Sequence, residues 1–370
     1  MIPVYKPYLP EGSLKYAHDA LDSGWLSQGP YLIKAREMLS EMWGTDHIIL
    51  TNSGTAANHM IARTMMLKHP WRSNLIVPNN VYVAAWNPFL LEGFNLKPVD
   101  ADPHTWNMDL EDYQEHRTHI ILAVHNLGNI INVPALKRKF PDTVFLEDNC
   151  EGLGGMYGEP LRPTGTASEA FSVSFYGNKN ITTGEGGAFV TYDEDVFDYA
   201  HSFHGQGQSP RKFIHNIPGY NYRMNNVQAA ILCGQLEILP DVMEMKQAVF
   251  DYYMGRFHNM AGVEFQLSHE GTQNANWMFG LRLLGNRSYI EIEKFFTEAG
   301  IETRPMFYPI QYHKHLHHKD SNRVSRASID VAQRLSQEIV ILPSFPELTT
   351  IQQDFIINKV EEYVQKFLLL

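Results

Sequence analysis

Lys179 stands among small and polar residues in Asn178-Lys-Asn-Ile-Thr-Thr-Gly-Glu-Gly-Gly187, between two runs, 170–176 and 187–192, that read as β-strands. A lysine confined at a strand end loses solvation of its charged form, which favours the neutral amine that attacks a carbonyl to form an imine. The glycines at 184, 186 and 187 permit turns with φ > 0 and close approach of a ligand or a second backbone. A solvated loop lysine fits the same spacing. The other strand ends must decide between the two.

Those ends belong to a recurring pattern. Short β-rich runs at 47–51, 74–77, 96–99, 119–124 and 144–147 precede the two around Lys179, with helical spacing between them. This alternation predicts an α/β protein with a seven-stranded, mostly parallel sheet and helices on both faces. Ala57, Met60, Ile61, Met65 and Met66 form the apolar face of a helix from 54 to about 67, where the methionines read as core. One long helical tract begins at Asn225 and runs past Pro240 to about 257, and beyond about 261 short strands mix with helices. The expected division is a large α/β domain over 1–240, N-terminal segment included, and a smaller α+β domain over 241–370.

Ligands of open α/β sheets gather at the carboxyl ends of the strands. The first strand leads through Thr51-Asn-Ser-Gly-Thr-Ala-Ala57 straight into a helix. Its free backbone N–H groups and two hydroxyls make a phosphate site, or Ser53 or Thr55 simply caps the helix. After the second strand, Tyr82 is placed either to stack on a planar ring or to join the core. The fifth strand ends at Glu147-Asp-Asn-Cys-Glu-Gly152, where Asp148 can hold a protonated ring nitrogen or serve as a turn residue. Ser174, five residues before Lys179, adds a hydroxyl. Anion cradle, stacking aromatic, ring-nitrogen carboxylate and imine lysine together are the parts that bind pyridoxal phosphate.

Bulk properties narrow the class. A net charge of −11 opposes nucleic acid and anionic membrane as general partners, so an anionic ligand must be held by local groups. With only Cys150 and Cys233, neither a disulfide framework nor a cysteine metal motif is expected. The N-terminus lacks the basic and apolar segments of a signal peptide, and no later run is apolar enough to span a membrane, so a soluble cytoplasmic protein is expected. The histidines of Tyr312-His-Lys-His-Leu-His-His318 lack carboxylate or cysteine company and are not expected to bind metal.

The chain resembles the DegT/DnrJ/EryC1/StrS family of sugar-nucleotide aminotransferases over nearly its whole length. The matching segments are Asp22-Ser-Gly-Trp-Leu-Ser-Gln-Gly-Pro30, Asn52-Ser-Gly-Thr-Ala-Ala57, Glu147-Asp148, Ser174-Phe-Tyr-Gly-Asn-Lys179, Thr182-Thr-Gly-Glu-Gly-Gly187, Gly219-Tyr-Asn-Tyr-Arg-Met224 and Thr303-Arg-Pro-Met-Phe-Tyr-Pro309. The resemblance implies the aspartate-aminotransferase fold (fold type I) and pyridoxal phosphate bound covalently by Lys179, with Asp148 on the pyridine nitrogen and Tyr82 over the ring. It assigns Gly54, Thr55 and Ser174 to the phosphate and implies a homodimer in which Asn221 completes the partner's phosphate site. Arg304 and Tyr308, and Trp25 and Ser27, match segments that approach the sugar nucleotide in relatives. Glu151 occupies a position where many relatives carry histidine or glutamine, and a role beside the ring is expected of it. Val124-His-Asn-Leu-Gly128 departs from the Val-His-Leu-Tyr-Gly of many relatives, which bears on substrate contact.

The implied reaction is transamination of a nucleotide-linked keto-deoxysugar with glutamate as donor, passing through pyridoxamine phosphate. The form of the segment after Lys179 resembles perosamine- and viosamine-type enzymes, which aminate C4 of a 4-keto-6-deoxyhexose; amination at C3 is the alternative. A dehydratase of the same fold replaces the lysine by histidine, and a non-catalytic regulatory or binding protein would lack the lysine or the aspartate. Lys179 and Asp148 speak against both.

Overall fold

The structure is a computed structural model that describes residues 1–117, 119–286, 288–317, 322–326 and 328–368. Its main sheet has seven strands: β1 (Ile48–Thr51), β2 (Asn74–Pro78), β3 (Asn95–Val99), β4 (His119–Val124), β5 (Val144–Asp148), β6 (Ala170–Ser174) and β7 (Gly187–Thr191). They lie in the order β1-β7-β6-β5-β4-β2-β3. Only β7 runs against its neighbours; the pairs from β6 across to β3 are parallel. The reversal follows from the connection. Residues 175–186, which carry Lys179, join adjacent antiparallel strands directly, whereas a parallel pair needs a crossover.

That loop is pinned at its base, where Phe175 N–H donates to the Gly186 carbonyl and Thr183 N–H to the Phe175 carbonyl, each at 2.9 Å. Both flanking strands are buried throughout, as expected of a sheet covered on two faces. Helices α1 (Glu11–Asp22) and α2 (Pro30–Trp43) pack on α4 (Asn226–Glu237), and α3 (Gly54–Lys68) packs on β6 and β7.

The helical tract expected to run unbroken to about 257 is two helices. α4 ends at Glu237 and α5 (Leu239–Phe257) begins after Ile238. Pro240 cannot donate an N–H to an earlier turn, but it fits the first turn of a new helix, where it stands.

A second sheet follows, β8 (Val263–Phe265), β9 (Phe279–Leu283), β10 (Arg304–Pro305) and β11 (Ile339–Leu342), in the order β8-β9-β11-β10 and antiparallel throughout. Its core takes in Leu281, Ile341 and Val360, and also Val4 and Tyr5 from the start of the chain. The N-terminal residues thus leave the large sheet that follows them and pack on the second core, with Ile2 bridged to Ile301. The architecture bears out the fold type I expectation. Among the described residues no helix is long and apolar enough to cross a membrane.

Candidate active site

The carboxyl ends of β1, β5 and β6 and the edge of the second sheet enclose one cavity of about 500 Å³. At one end lies the start of α3. Ser53 caps that helix, its hydroxyl accepting from Ala56 N–H at 3.1 Å. Gly54 and Thr55, the first two helical residues, border the cavity with Ser174. Glycine is required at 54, because a Cβ there would stand 2.9 Å from both Cys150 Sγ and Ser174 Cβ. Gly187 has a similar duty: a Cβ there would meet Gly54 N at 2.7 Å, so its absence lets β7 close against the helix start. Small residues, a hydroxyl and a helix N-terminus form a cradle suited to a phosphate.

In the same cavity, Asp148 is held by donors. Asn58 Nδ2 donates to Oδ2 at 2.8 Å and Cys150 N–H donates to Oδ1 at 3.1 Å. The preceding carboxylate faces the other way. Glu147 is fully buried, accepting from the Tyr157 hydroxyl at 2.8 Å and from His125 Nε2 at 3.0 Å. Ile131 N–H donates to His125 Nδ1 at 3.1 Å, which leaves the ring proton on Nε2. The alternation of a β-strand thus gives one acid to the core and one to the cavity.

Lys179 borders the same cavity. Its Nζ sits 3.8 Å from the centre of the Trp277 ring and 4.0 Å from Glu151 Oε1, with the side chain 13% exposed. Two long-range contacts fix its backbone: the Tyr5 hydroxyl donates to the Lys179 carbonyl at 2.6 Å, and Trp277 Nε1–H to the Asn178 carbonyl at 2.7 Å. Burial pushes the Glu151 carboxyl up to about 7, against the opposing pull of the Lys179 charge and of Leu127 N–H, which donates to Oε2 at 2.8 Å. Leu127 reaches it from a left-handed conformation (φ 58°), which a branched side chain rarely adopts. Residues 124–128 therefore supply the backbone donor for Glu151.

Residues 7–361 match the DegT/DnrJ/EryC1/StrS aminotransferase family. The chain belongs to that family. It is a pyridoxal-phosphate-dependent sugar aminotransferase. It is 30% identical to the GDP-perosamine synthase of Escherichia coli O157:H7, with 98% of each chain covered. To the GDP-perosamine synthase of Caulobacter vibrioides it is 29% identical, again over 98% of each. Its fold is that of a Helicobacter pylori aminotransferase involved in the biosynthesis of pseudoaminic acid, at a TM-score of 0.88 and 24% identity, with 98% of this chain and 99% of the other covered.

The residues present fit the family's cofactor. A carboxylate held in place by two N–H donors, an anion cradle whose space a Cβ would fill, and a lysine in the same cavity match a ring nitrogen, a phosphate and a carbonyl. Eight of the residues singled out in the sequence border this cavity: Gly54, Thr55, Tyr82, Asp148, Glu151, Ser174, Lys179 and Arg304. Tyr82 is 60% exposed, its ring tilted against Phe307 with centres 6.1 Å apart.

Four others lie outside it. Tyr308 pairs its ring with Tyr312 at 5.7 Å. Trp25, 65% exposed, borders a separate cleft with Arg36, His201 and Arg223, and Ser27 is exposed nearby in sequence. Asn221 is exposed on an extended segment between Tyr220 and Tyr222, whose rings stack 5.0 Å apart. Its carbonyl accepts from Asn52 Nδ2 at 3.3 Å. The last histidine of the 312–318 tract lies outside the described residues; His313 meets the Trp86 ring edge-on, and His315 bonds to Asn87 at 2.8 Å.

Sequence reasoning missed Asn58, Trp277 and Tyr5. A weak signal existed for Asn58, a polar residue one turn past Gly54 on a helix with an apolar face, though His59 and Thr64 share that helix. For Trp277 and Tyr5 no local pattern exists, since their partners lie far along the chain.

Proposed function

We propose that the protein transfers an amino group to C4 of a nucleotide-linked 4-keto-6-deoxyhexose, with glutamate as donor, giving a nucleotide 4-amino-4,6-dideoxy sugar for glycan or O-antigen biosynthesis. The observation that carries the reading is the position of Lys179 Nζ, in one cavity with the Gly54-Thr55-Ser174 cradle and the Asp148 carboxylate. The likeness to GDP-perosamine synthases supports the choice of C4.

Bound pyridoxal phosphate supplies the carbonyl for imine exchange and a ring that takes up electrons. Gly54, Thr55 and Ser174 hold its phosphate, and Asp148 holds its pyridine nitrogen. Tyr82, which borders the cavity, would cover the ring. Lys179 Nζ would hold the cofactor and would serve as the base that moves the proton interconverting keto and amino forms. Glu151, 4.0 Å from that amine, would stand beside the bound ring. Arg304 faces the same cavity and is assigned to the sugar nucleotide with Tyr308, Trp25 and Ser27.

The working unit is a homodimer. Asn221, exposed and presented by its stacked tyrosine neighbours, reaches the partner's phosphate site in this reading.

The test is incubation with 4-keto and 3-keto sugar nucleotides carrying GDP, dTDP or UDP, with glutamate as donor, and NMR of the product. Nitrogen at C4 is expected. Nitrogen at C3 overturns the regiochemistry, and a fully active monomer in sedimentation overturns the role of Asn221.

A further inference from the structure

We propose that Asn58 is the positioning residue for Asp148, tying the helix that cradles the cofactor phosphate to the carboxylate that holds the ring nitrogen. The inference rests on the assignment of Asp148 made above.

Asn58 lies four residues past Gly54 in α3, about one helical turn inward, and is buried at 1% exposure. Its amide is satisfied on both sides. Oδ1 accepts from Ser172 Oγ at 2.8 Å, while Nδ2 donates to Asp148 Oδ2 at 2.8 Å and to the Ala84 carbonyl at 3.2 Å. The orientation is forced by chemistry. Turning the amide over would set Oδ1 against a carboxylate and a carbonyl, three acceptors with no proton among them. Ser172 has one proton, and the 2.8 Å contact to Asn58 takes it in preference to the 3.4 Å contact to Asp148 Oδ1.

The result is a directed chain from Ser172 on β6, through Asn58 on α3, to Asp148 at the end of β5. With Cys150 N–H on the other oxygen at 3.1 Å, the carboxylate plane is fixed from both sides. α3 therefore positions both ends of the cofactor, the phosphate at its first turn and the ring-nitrogen partner one turn later. A leucine at 58 would supply similar volume but no donor, and Asp148 would lose a charge-assisted hydrogen bond in a buried setting.

The test compares two ligands of the apoenzyme, pyridoxal phosphate and its carba analogue with CH in place of the ring nitrogen, titrated by quenching of tryptophan fluorescence. In the wild type the natural cofactor binds more tightly, because only it has a nitrogen for Asp148. In Asn58→Leu that preference shrinks by about 10- to 100-fold while affinity for the analogue holds, the loss expected for one hydrogen bond to a charged group. Equal weakening of both ligands means that Asn58 merely shapes the site, and overturns the proposal. A wild type that does not distinguish the ligands overturns the Asp148 assignment and this proposal with it. If Asn58→Leu does not fold, Asn58→Ala, which also removes the amide donor, is read the same way: a reduced preference supports the proposal and an unchanged one overturns it.

Discussion

Two lysines meet Trp277, and they do opposite things. Lys179 lies over its ring at 3.8 Å and borders the cavity. Lys246, in α5, is fully buried and donates to the Trp277 carbonyl at 2.8 Å and to the Ser344 carbonyl. Burial pushes Lys246 down to about 7. A neutral amine keeps two N–H donors, matching those two acceptors. A perturbed ionisation is often a mark of a functional group, and by that mark alone Lys246 would be the reactive amine. Lys179 is the one with a strand-end loop, a carboxylate partner and open space. The contrast teaches that reactivity in this fold goes with access and neighbours, while burial by itself makes a structural lysine. Trp277 links the two, since the amine that holds its carbonyl also steadies the ring under Lys179.

The widest separation is expected from the lysines themselves. Lys179→Ala should lower turnover by at least about 10²–10⁴-fold and abolish the visible absorbance of lysine-bound cofactor, measured by steady-state assay and absorption spectroscopy. A colourless Lys246→Met protein with a yellow Lys179→Ala protein would reverse the comparison. Asp148→Asn should follow, with kcat lowered roughly 10²–10³-fold through lost electrostatic stabilisation and protein abundance unchanged.

Lys246→Met should keep the absorbance yet lose about 1–3 kcal/mol for each carbonyl left unpaired, read from urea unfolding. Unchanged stability would show that the two carbonyls find other donors. The smallest effect concerns Glu151. Its carboxyl titrates at about 7 in the folded protein, above the ordinary 4.5, so between those values the native state keeps a proton that the unfolded state has released. Its contribution to the stability of the apoenzyme is therefore full below about pH 4.5 and declines up to about 7, at no more than about 1.4 kcal/mol per pH unit. Glu151→Gln should flatten that part of the profile in denaturant melts; an unaltered slope would place the titration elsewhere.

Much of the site was legible without coordinates. All seven runs read as strands became strands of one sheet, because most are short apolar segments between polar breaks, a local property. Residues that follow strand ends were legible for the same reason: Gly54, Asp148, Ser174 and Lys179 needed only the rule that carboxyl ends converge. The break at Ile238 was harder to see, since Pro240 suits the start of one helix as well as it interrupts another.

The sequence by itself determined the sheet, the loop that carries the amine and the family to which the chain belongs, all of which rest on neighbours in the chain. Tertiary structure alone decided that Asn58 grips Asp148, that Tyr5 and Trp277 frame Lys179, that residues 2–5 join the second core, and that burial holds Glu151 near neutrality. Those contacts join residues 90 and 174 positions apart, among others, and a hydrogen bond or a lost hydration shell depends on distance in space, which no local pattern of residues encodes.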